Sequence, residues 1–128
     1  MRVLLDTHAL LWWLAGDAKL SRKAKSIIAD EDNEIVASAA SAWEVATKYR
    51  LGRLPGAGVL ALDFRRVIER QGFVGLSITP DHAQRAGALT IAERDPFDRM
   101  LIAQSQAENL ALISVEDHFD DYGIVRIW

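Results

Sequence analysis

The chain is punctuated by short apolar runs, each followed by a stretch in which apolar residues recur every three to four positions. "RVLL" at residues 2–5 stops at Asp6, and "THALLWWLAG" after it has helical spacing closed by Gly16. A continuous apolar run suits a strand buried on both faces, and the longer period suits an amphipathic helix, so the opening reads as strand then helix. "SRKAKSIIADED" repeats the helical pattern with Ser21 as its cap, and "EIVAS" at 34–38 is a second buried strand. "AASAWEVATKYRLG" predicts a helix stopped at Gly52, "RLPGAG" a turn, and "VLALDFRRVIERQG" one further helix ending at Gly72. "FVGLSI" is a third strand, and Thr79 before Pro80 begins a helix through "PDHAQRAGAL". A helix through "PFDRMLIAQSQAE" leads to two last strands, "LALIS" and "GIVRIW", between which "VEDHFDDY" holds one short helical turn.

Strands alternating with helices mean βαβ units, a mostly parallel sheet covered on both faces, and right-handed crossovers. The expected class is α/β. At 128 residues and 50% hydrophobic composition the chain fits one domain, residues 1–128, with a real core. No apolar run approaches the roughly 20 residues that span a bilayer, and the first fifteen residues hold an acid, Asp6, rather than a basic signal-peptide start. A soluble, cytoplasmic protein with no membrane partner is expected. The absence of cysteine excludes disulfides, a thiolate nucleophile and a cysteine-rich zinc site. A net charge of −3 argues against a charge-driven coat on nucleic acid. The exception is a local acidic cluster neutralised by a divalent cation and rimmed by Lys48, Arg50, Arg53, Arg94 and Arg99.

The acids fall where such a cluster would form. In open α/β sheets the functional crevice lies outside the carboxyl ends of the strands. Asp6 directly follows the first strand, and "SVED" directly follows the strand "LALI", bringing Glu116 or Asp117 to the same edge. In "ERDPFDRMLIAQSQAE", Asp95 precedes Pro96 in the manner of a helix cap, whereas Asp98 projects in line with Leu101, Ile102 and Ser105, near the apolar stripe. Glu44 is the only charged residue between Glu34 and Lys48; its plainer explanation is an i,i+4 pair with Lys48. Converging carboxylates repel one another unless a cation sits among them. Hard oxygen donors without His or Cys select Mg²⁺ or Mn²⁺, ions that share their shell with substrate phosphate and activate water for in-line attack.

The stretches "LLDTHALLWWL", "SAASAWEVATKYRLGRL", "RDPFDRMLIAQSQ" and "LISVEDHFDDYGI", in this order and spacing, resemble the PIN-domain ribonucleases, specifically the VapC-type toxins of bacterial toxin–antitoxin pairs. The resemblance covers essentially the whole chain. It implies a three-layer α/β/α sandwich with a central, mostly parallel sheet, and Mg²⁺- or Mn²⁺-dependent endoribonuclease activity. It also implies a homodimer silenced by a small antitoxin whose tail covers the acidic pocket. The family's acids fall on Asp6, Glu44, Asp98 and Glu116, with Asp95 accessory or capping. Two departures stand out: Glu116 occupies a place more often held by aspartate, with Asp117 next to it, and Glu93 a place where relatives often carry histidine. Glu93 is expected at the pocket rim, touching none of the matched acids.

Other residues carry two readings each. Thr7 suits either a helix N-cap or a hydrogen bond to a carboxylate or bound water, and Ser114 either a strand-end hydroxyl or a support for the fourth acid. His8, His82 and His118 show no metal-ligand spacing and are assigned to structure or surface. Trp12 and Trp13 suit core or dimer contacts ahead of base stacking. Arg50, Arg53 and Arg99 are solvated charges by default and otherwise contacts for RNA phosphate. Two competing functions remain at this level. A signalling receiver-type domain also has an acidic Mg²⁺ pocket but needs paired acids after the first strand, where only Asp6 stands. A catalytically silent binding protein of the same fold would be favoured by loss of Asp6, Glu44 or Asp98, and all three are present.

Overall fold

A computed structural model describes residues 1–128. The chain runs β1 (Arg2–Leu5), α1 (Thr7–Ala15), α2 (Arg22–Ala29), β2 (Glu34–Ser38), α3 (Ala39–Arg50), a 3₁₀ turn at Pro55–Ala57, α4 (Gly58–Leu62) and α5 (Phe64–Arg70). It continues through β3 (Val74–Leu76), α6 (Pro80–Ala88), α7 (Pro96–Glu108), β4 (Ala111–Ile113), a 3₁₀ segment at Asp117–Tyr122 and β5 (Arg126–Ile127). All strand pairings are parallel, in the order β3-β2-β1-β4-β5. No helix is long and apolar enough to cross a membrane.

The strand order explains the layers. Stepping from β1 to β2 to β3 with right-handed crossovers puts the connecting helices on one face; stepping back past β1 to β4 and β5 puts them on the other. Side chains alternate accordingly. Val3, Leu5, Ile35, Ala37 and Ile113 pack with Leu10, Ile28, Leu60 and Ile68 of the helices α1, α2, α4 and α5. Leu4, Val36 and Leu112 face the opposite way, against Leu101, Ile102 and Phe119 from α7 and the 3₁₀ segment. The outcome is an α/β/α sandwich. Its order also separates it from receiver-type domains, whose sheets run 2-1-3-4-5.

Local chemistry sets the boundaries. Gly16 closes α1 at φ +63°, a left-handed position open to glycine at no steric cost. Thr79 caps α6 in a reciprocal box with His82, whose ring accepts from the Thr79 amide at 3.1 Å. The single helix expected to end at Gly72 is two helices: Asp63, at φ −147° and ψ 55°, breaks it into α4 and α5. Leu60 of α4 and Ile68 of α5 are both buried in the core. The turn expected in "VEDHFDDY" is longer, a six-residue 3₁₀ segment anchored by the fully buried Phe119.

Phe119 lies three residues after Glu116, so its burial holds the loop beyond β4 against the sheet. Phe119→Ala is expected to cost about 3–5 kcal/mol of stability by cavity formation, read as a lower urea midpoint with an unchanged slope.

Candidate metal centre

The sheet order reverses between β1 and β4, and the crevice at their carboxyl ends is the topological switch point where open α/β sheets bind ligands. A cleft of about 160 Å³ opens there, with no hydrophobic residue in its wall. It brings together Asp6, Glu44, Asp98 and Glu116 from four separate stretches of chain; Thr7, Asp95, His8 and Lys48 complete the wall.

Each acid is held by local structure. Asp6 is the N-cap of α1, its Oδ1 accepting from the Ala9 amide at 2.8 Å. Asp6, rather than Thr7, therefore caps this helix. Thr7 turns its hydroxyl inward and donates to Glu44 Oε1 at 2.6 Å. Because that hydroxyl has one hydrogen, the 2.9 Å contact with Ser41 must have Ser41 donating to Thr7. The other Glu44 oxygen pairs with Lys48, so the i,i+4 pair and the inward-facing acid are both real. Asp95 caps α7, accepting from the amides of Phe97 at 2.8 Å and Asp98 at 3.0 Å. Asp98 rides in the first turn of α7, where the helix dipole favours a negative charge. Ser114 takes both roles open to it: buried at the end of β4, it supports the fourth acid, its Oγ accepting from the Glu116 amide at 3.0 Å.

Two expected placements, those of Asp117 and Arg99, need correction. Asp117 is exposed, begins the 3₁₀ segment and takes no part in the cleft wall. Arg99 does not face solvent as an RNA contact. Its guanidinium donates to the carbonyls of Ala86 (2.8 Å), Leu89 (2.7 Å) and Glu93 (2.7 Å), satisfying orphan acceptors beyond the end of α6. Arg50 and Arg53 are exposed at and beyond the end of α3, outside the cleft wall. Trp12 packs on Trp128 and stacks on His8, and Trp13 lies against Phe73, so both serve packing. His82 is a buried structural residue bonded to Glu108 at 2.8 Å.

His118 and Glu93 are the functional candidates that spacing missed. His118 was assigned to structure or surface, and Glu93 to a rim apart from the acids. In the fold, His118 Nε2 lies 3.3 Å from Glu93 Oε2 and 3.4 Å from Asp98 Oδ2, with its Nδ1 3.6 Å from Glu116 Oε2. Glu93, Asp98 and His118 offer ligand atoms all within 4.8 Å of one another. The one available signal was that His118 stands two residues after Glu116, in the loop that must enter the cleft.

Burial and crowding act on the carboxyls as Coulomb's law demands. Burial is the main force pushing the Asp98 carboxyl up to about 7, and the carboxylates of Asp95, Glu93 and Glu44 add to it while His118 opposes. Asp6, only 4% exposed, is also raised by burial, against the opposing hydrogen bonds from Ser114 and the Ala9 amide. The donor set is one that a divalent cation would relieve, and oxygen-rich composition fits Mg²⁺ or Mn²⁺. His118 Nε2, buried with no hydrogen-bond partner, is a second sign that a positive centre belongs here.

Two predictions follow from this geometry. Asp98 ionises near 7 when folded against an ordinary 3.8, so between those values the folded state binds more protons than the unfolded one. The stability of the protein in EDTA should therefore fall as pH rises from about 4 to 7, and the raised Asp6 carboxyl adds to the fall. Asp98→Asn should flatten that slope and raise the melting temperature at pH 8 but not at pH 4; an unchanged slope would contradict the crowding. Arg99→Ala should cost about 1.5–3 kcal/mol, as loss of hydrogen bonds from a charged donor does, while leaving metal affinity in place, which calorimetry and chemical denaturation together read.

Comparison with known proteins agrees with this layout. The family model for the PIN domain matches residues 3–125. Ribonuclease VapC16 of Mycobacterium tuberculosis is 42% identical over 73 residues, 57% of this chain, and the match spans about half (49%) of that relative's length. Among solved structures, VapBC2 from Rickettsia felis, bound to a promoter DNA fragment, is similar at a TM-score of 0.74 and 14% identity, covering 100% of this chain and 99% of that one. VapC20 of Mycobacterium tuberculosis, described as a sarcin–ricin-loop-cleaving toxin, is similar at 0.71 and 19% identity, with 98% of each chain covered. A toxin–antitoxin complex from Klebsiella pneumoniae is similar at 0.66 and 22% identity, covering 98% and 96%. At these identities the structural likeness speaks for the fold, and the family model speaks for the chain. Matched over nearly its whole length, the chain belongs to the PIN domain family.

Proposed function

We propose that the protein is a Mg²⁺- or Mn²⁺-dependent endoribonuclease, the toxin half of a toxin–antitoxin pair, that hydrolyses RNA phosphodiester bonds at this cleft. The observation that carries the reading is the convergence of Asp6, Glu44, Asp98 and Glu116 in one apolar-free cleft, with the Asp98 carboxyl held up to about 7. Membership of the PIN family and the similarity to a protein named as a ribonuclease support it.

The four carboxylates would hold the cation, which when bound supplies charge neutralisation and a more acidic water for attack on phosphorus. The protein's own groups prepare that site. Thr7 and Ser41 fix the Glu44 rotamer; Ser114 holds the start of the Glu116 loop; Asp95 fixes the first turn that carries Asp98. Such support keeps ligands in place before substrate arrives and spares reorganisation during reaction. Lys48 neutralises part of the charge on Glu44. Asp98 gives up its proton in favour of a cation, so metal affinity rises with pH through 7. Arg50 and Arg53, exposed and with no carboxylate partner, are the basic groups proposed to meet RNA phosphate.

The same reading extends to partners. A cytoplasmic antitoxin whose arginine pairs bidentately with these carboxylates would block the cleft, as fits the toxin–antitoxin assemblies among the similar structures. A homodimer is proposed with it. Exposed Val59 and Leu62 of α4, beside the apolar groove of Leu11, Leu14 and Leu60, supply surface for such contacts.

Purified protein free of antitoxin should cut a pool of structured RNAs with Mg²⁺ or Mn²⁺ and not with EDTA. In Asp6→Asn and Asp98→Asn the rate should fall at least about a hundredfold, the upper end of what losing an outer-shell partner of a metal costs. Folded protein that cuts equally well in EDTA would refute the metal mechanism.

A further inference from the structure

The matched acids explain an all-oxygen site, and they leave His118 without a purpose. Its ring comes up beside the cleft acids Asp98 and Glu116 from the 3₁₀ segment after β4, packed at 4.3 Å centroid distance and tilted 32° against the buried Phe119. Nε2 is buried and 3.3 and 3.4 Å from oxygens of Glu93 and Asp98, yet aligned for a hydrogen bond with neither. Atoms that close and that unbonded behave as neighbours around a common point. Ligands about 2.0–2.1 Å from a cation sit about 2.8–3.4 Å from each other, the shorter edge for octahedral and the longer for tetrahedral coordination.

The surroundings prepare each donor. Glu93 Oε1 accepts from the Asp95 amide at 2.9 Å, which leaves Oε2 as the oxygen turned to His118. Glu116 Oε2 lies 3.6 Å from Nδ1 on the far side of the ring. A carboxylate there favours a proton on Nδ1 and leaves the Nε2 lone pair free, the arrangement in which histidine binds metals. Asp98 belongs both to this trio and to the four matched acids.

We propose that Glu93, Asp98 and His118 form a second cation position, sharing Asp98 with the four-carboxylate position and taking Mn²⁺ or a comparable transition metal in preference to Mg²⁺. Imidazole nitrogen is a good ligand for the transition metals and a poor one for Mg²⁺, which demands oxygen. The proposal rests on the reading of the cleft as a cation centre and adds a nitrogen ligand and a metal preference to it.

The test is Mn²⁺ binding to the purified protein, followed by electron paramagnetic resonance, with pulsed measurement of coupling to ¹⁴N. Wild-type protein should show a directly bound imidazole nitrogen. His118→Gln should abolish that coupling and weaken one Mn²⁺ site at least about tenfold, while Mg²⁺ binding at the carboxylate position persists. Glu93→Gln should weaken the same site and keep the nitrogen signal at saturating Mn²⁺; His8→Gln, the control for the other imidazole at the cleft, should leave the coupling intact. Circular dichroism verifies that each variant is folded. Mn²⁺ bound without ¹⁴N coupling, or with equal affinity in His118→Gln, overturns the second position and leaves the carboxylate centre standing. Failure of the wild type to bind either cation overturns both readings.

Discussion

The parallel register between β1 and β4 is the constraint on which the site depends. Leu5 pairs with Ile113, and the Asp6 amide donates to the Ile113 carbonyl at 3.1 Å. Asp6 and Ser114 are thus neighbours at the sheet's carboxyl edge. Shifting either strand by one residue would turn Leu4 and Leu112 out of one core layer and Val3, Leu5 and Ile113 out of the other. Hydrophobic packing on both faces therefore positions the polar edge. The most buried residues of the molecule fix its chemistry without taking part in it.

The acids at that edge oppose folding. Asp6 and Glu44 are 4% and 5% exposed, and Asp98 is pressed by three neighbouring carboxylates. Isolated charges at such depth are costly unless paired or hydrogen-bonded. The structure offsets the cost with short-range polar partners: two helix N-termini at Asp6 and Asp95, the Ser41–Thr7–Glu44 chain, Lys48, and Ser114. What these partners leave uncompensated shows at Asp6 and Asp98, whose carboxyls are both raised, that of Asp98 to about 7. Stability surrendered at these carboxyls would be the counterpart of affinity for a cation, since the repulsion that destabilises the bare fold is what a bound ion would relieve.

The basic residues divide by the same logic. Lys48 lies in the cleft and serves Glu44; Arg99 is spent on backbone carbonyls past α6; Arg126 pairs with Asp120 at 2.8 Å. Arg50 and Arg53 are left facing solvent.

The sequence by itself determined which segments are strands and helices, because burial on two faces and burial on one stripe leave distinct periodicities. Caps such as Ser21, Thr79 and Asp95 and the stop at Gly16 were legible because each acts within four residues of itself. The four acids were legible as well: two by their place just after apolar strands, Asp98 by its line with an apolar stripe, and Glu44 by its isolation among small residues. The break at Asp63 was not legible, since the chain there keeps its helical pattern while the core decides where it bends. Only the tertiary structure decided that Arg99 faces carbonyls, that Asp117 faces water, and that Glu93 and His118 meet at Asp98. These depend on the direction of a side chain leaving a loop and on residues up to 25 positions apart, Glu93 to His118, which no local periodicity records.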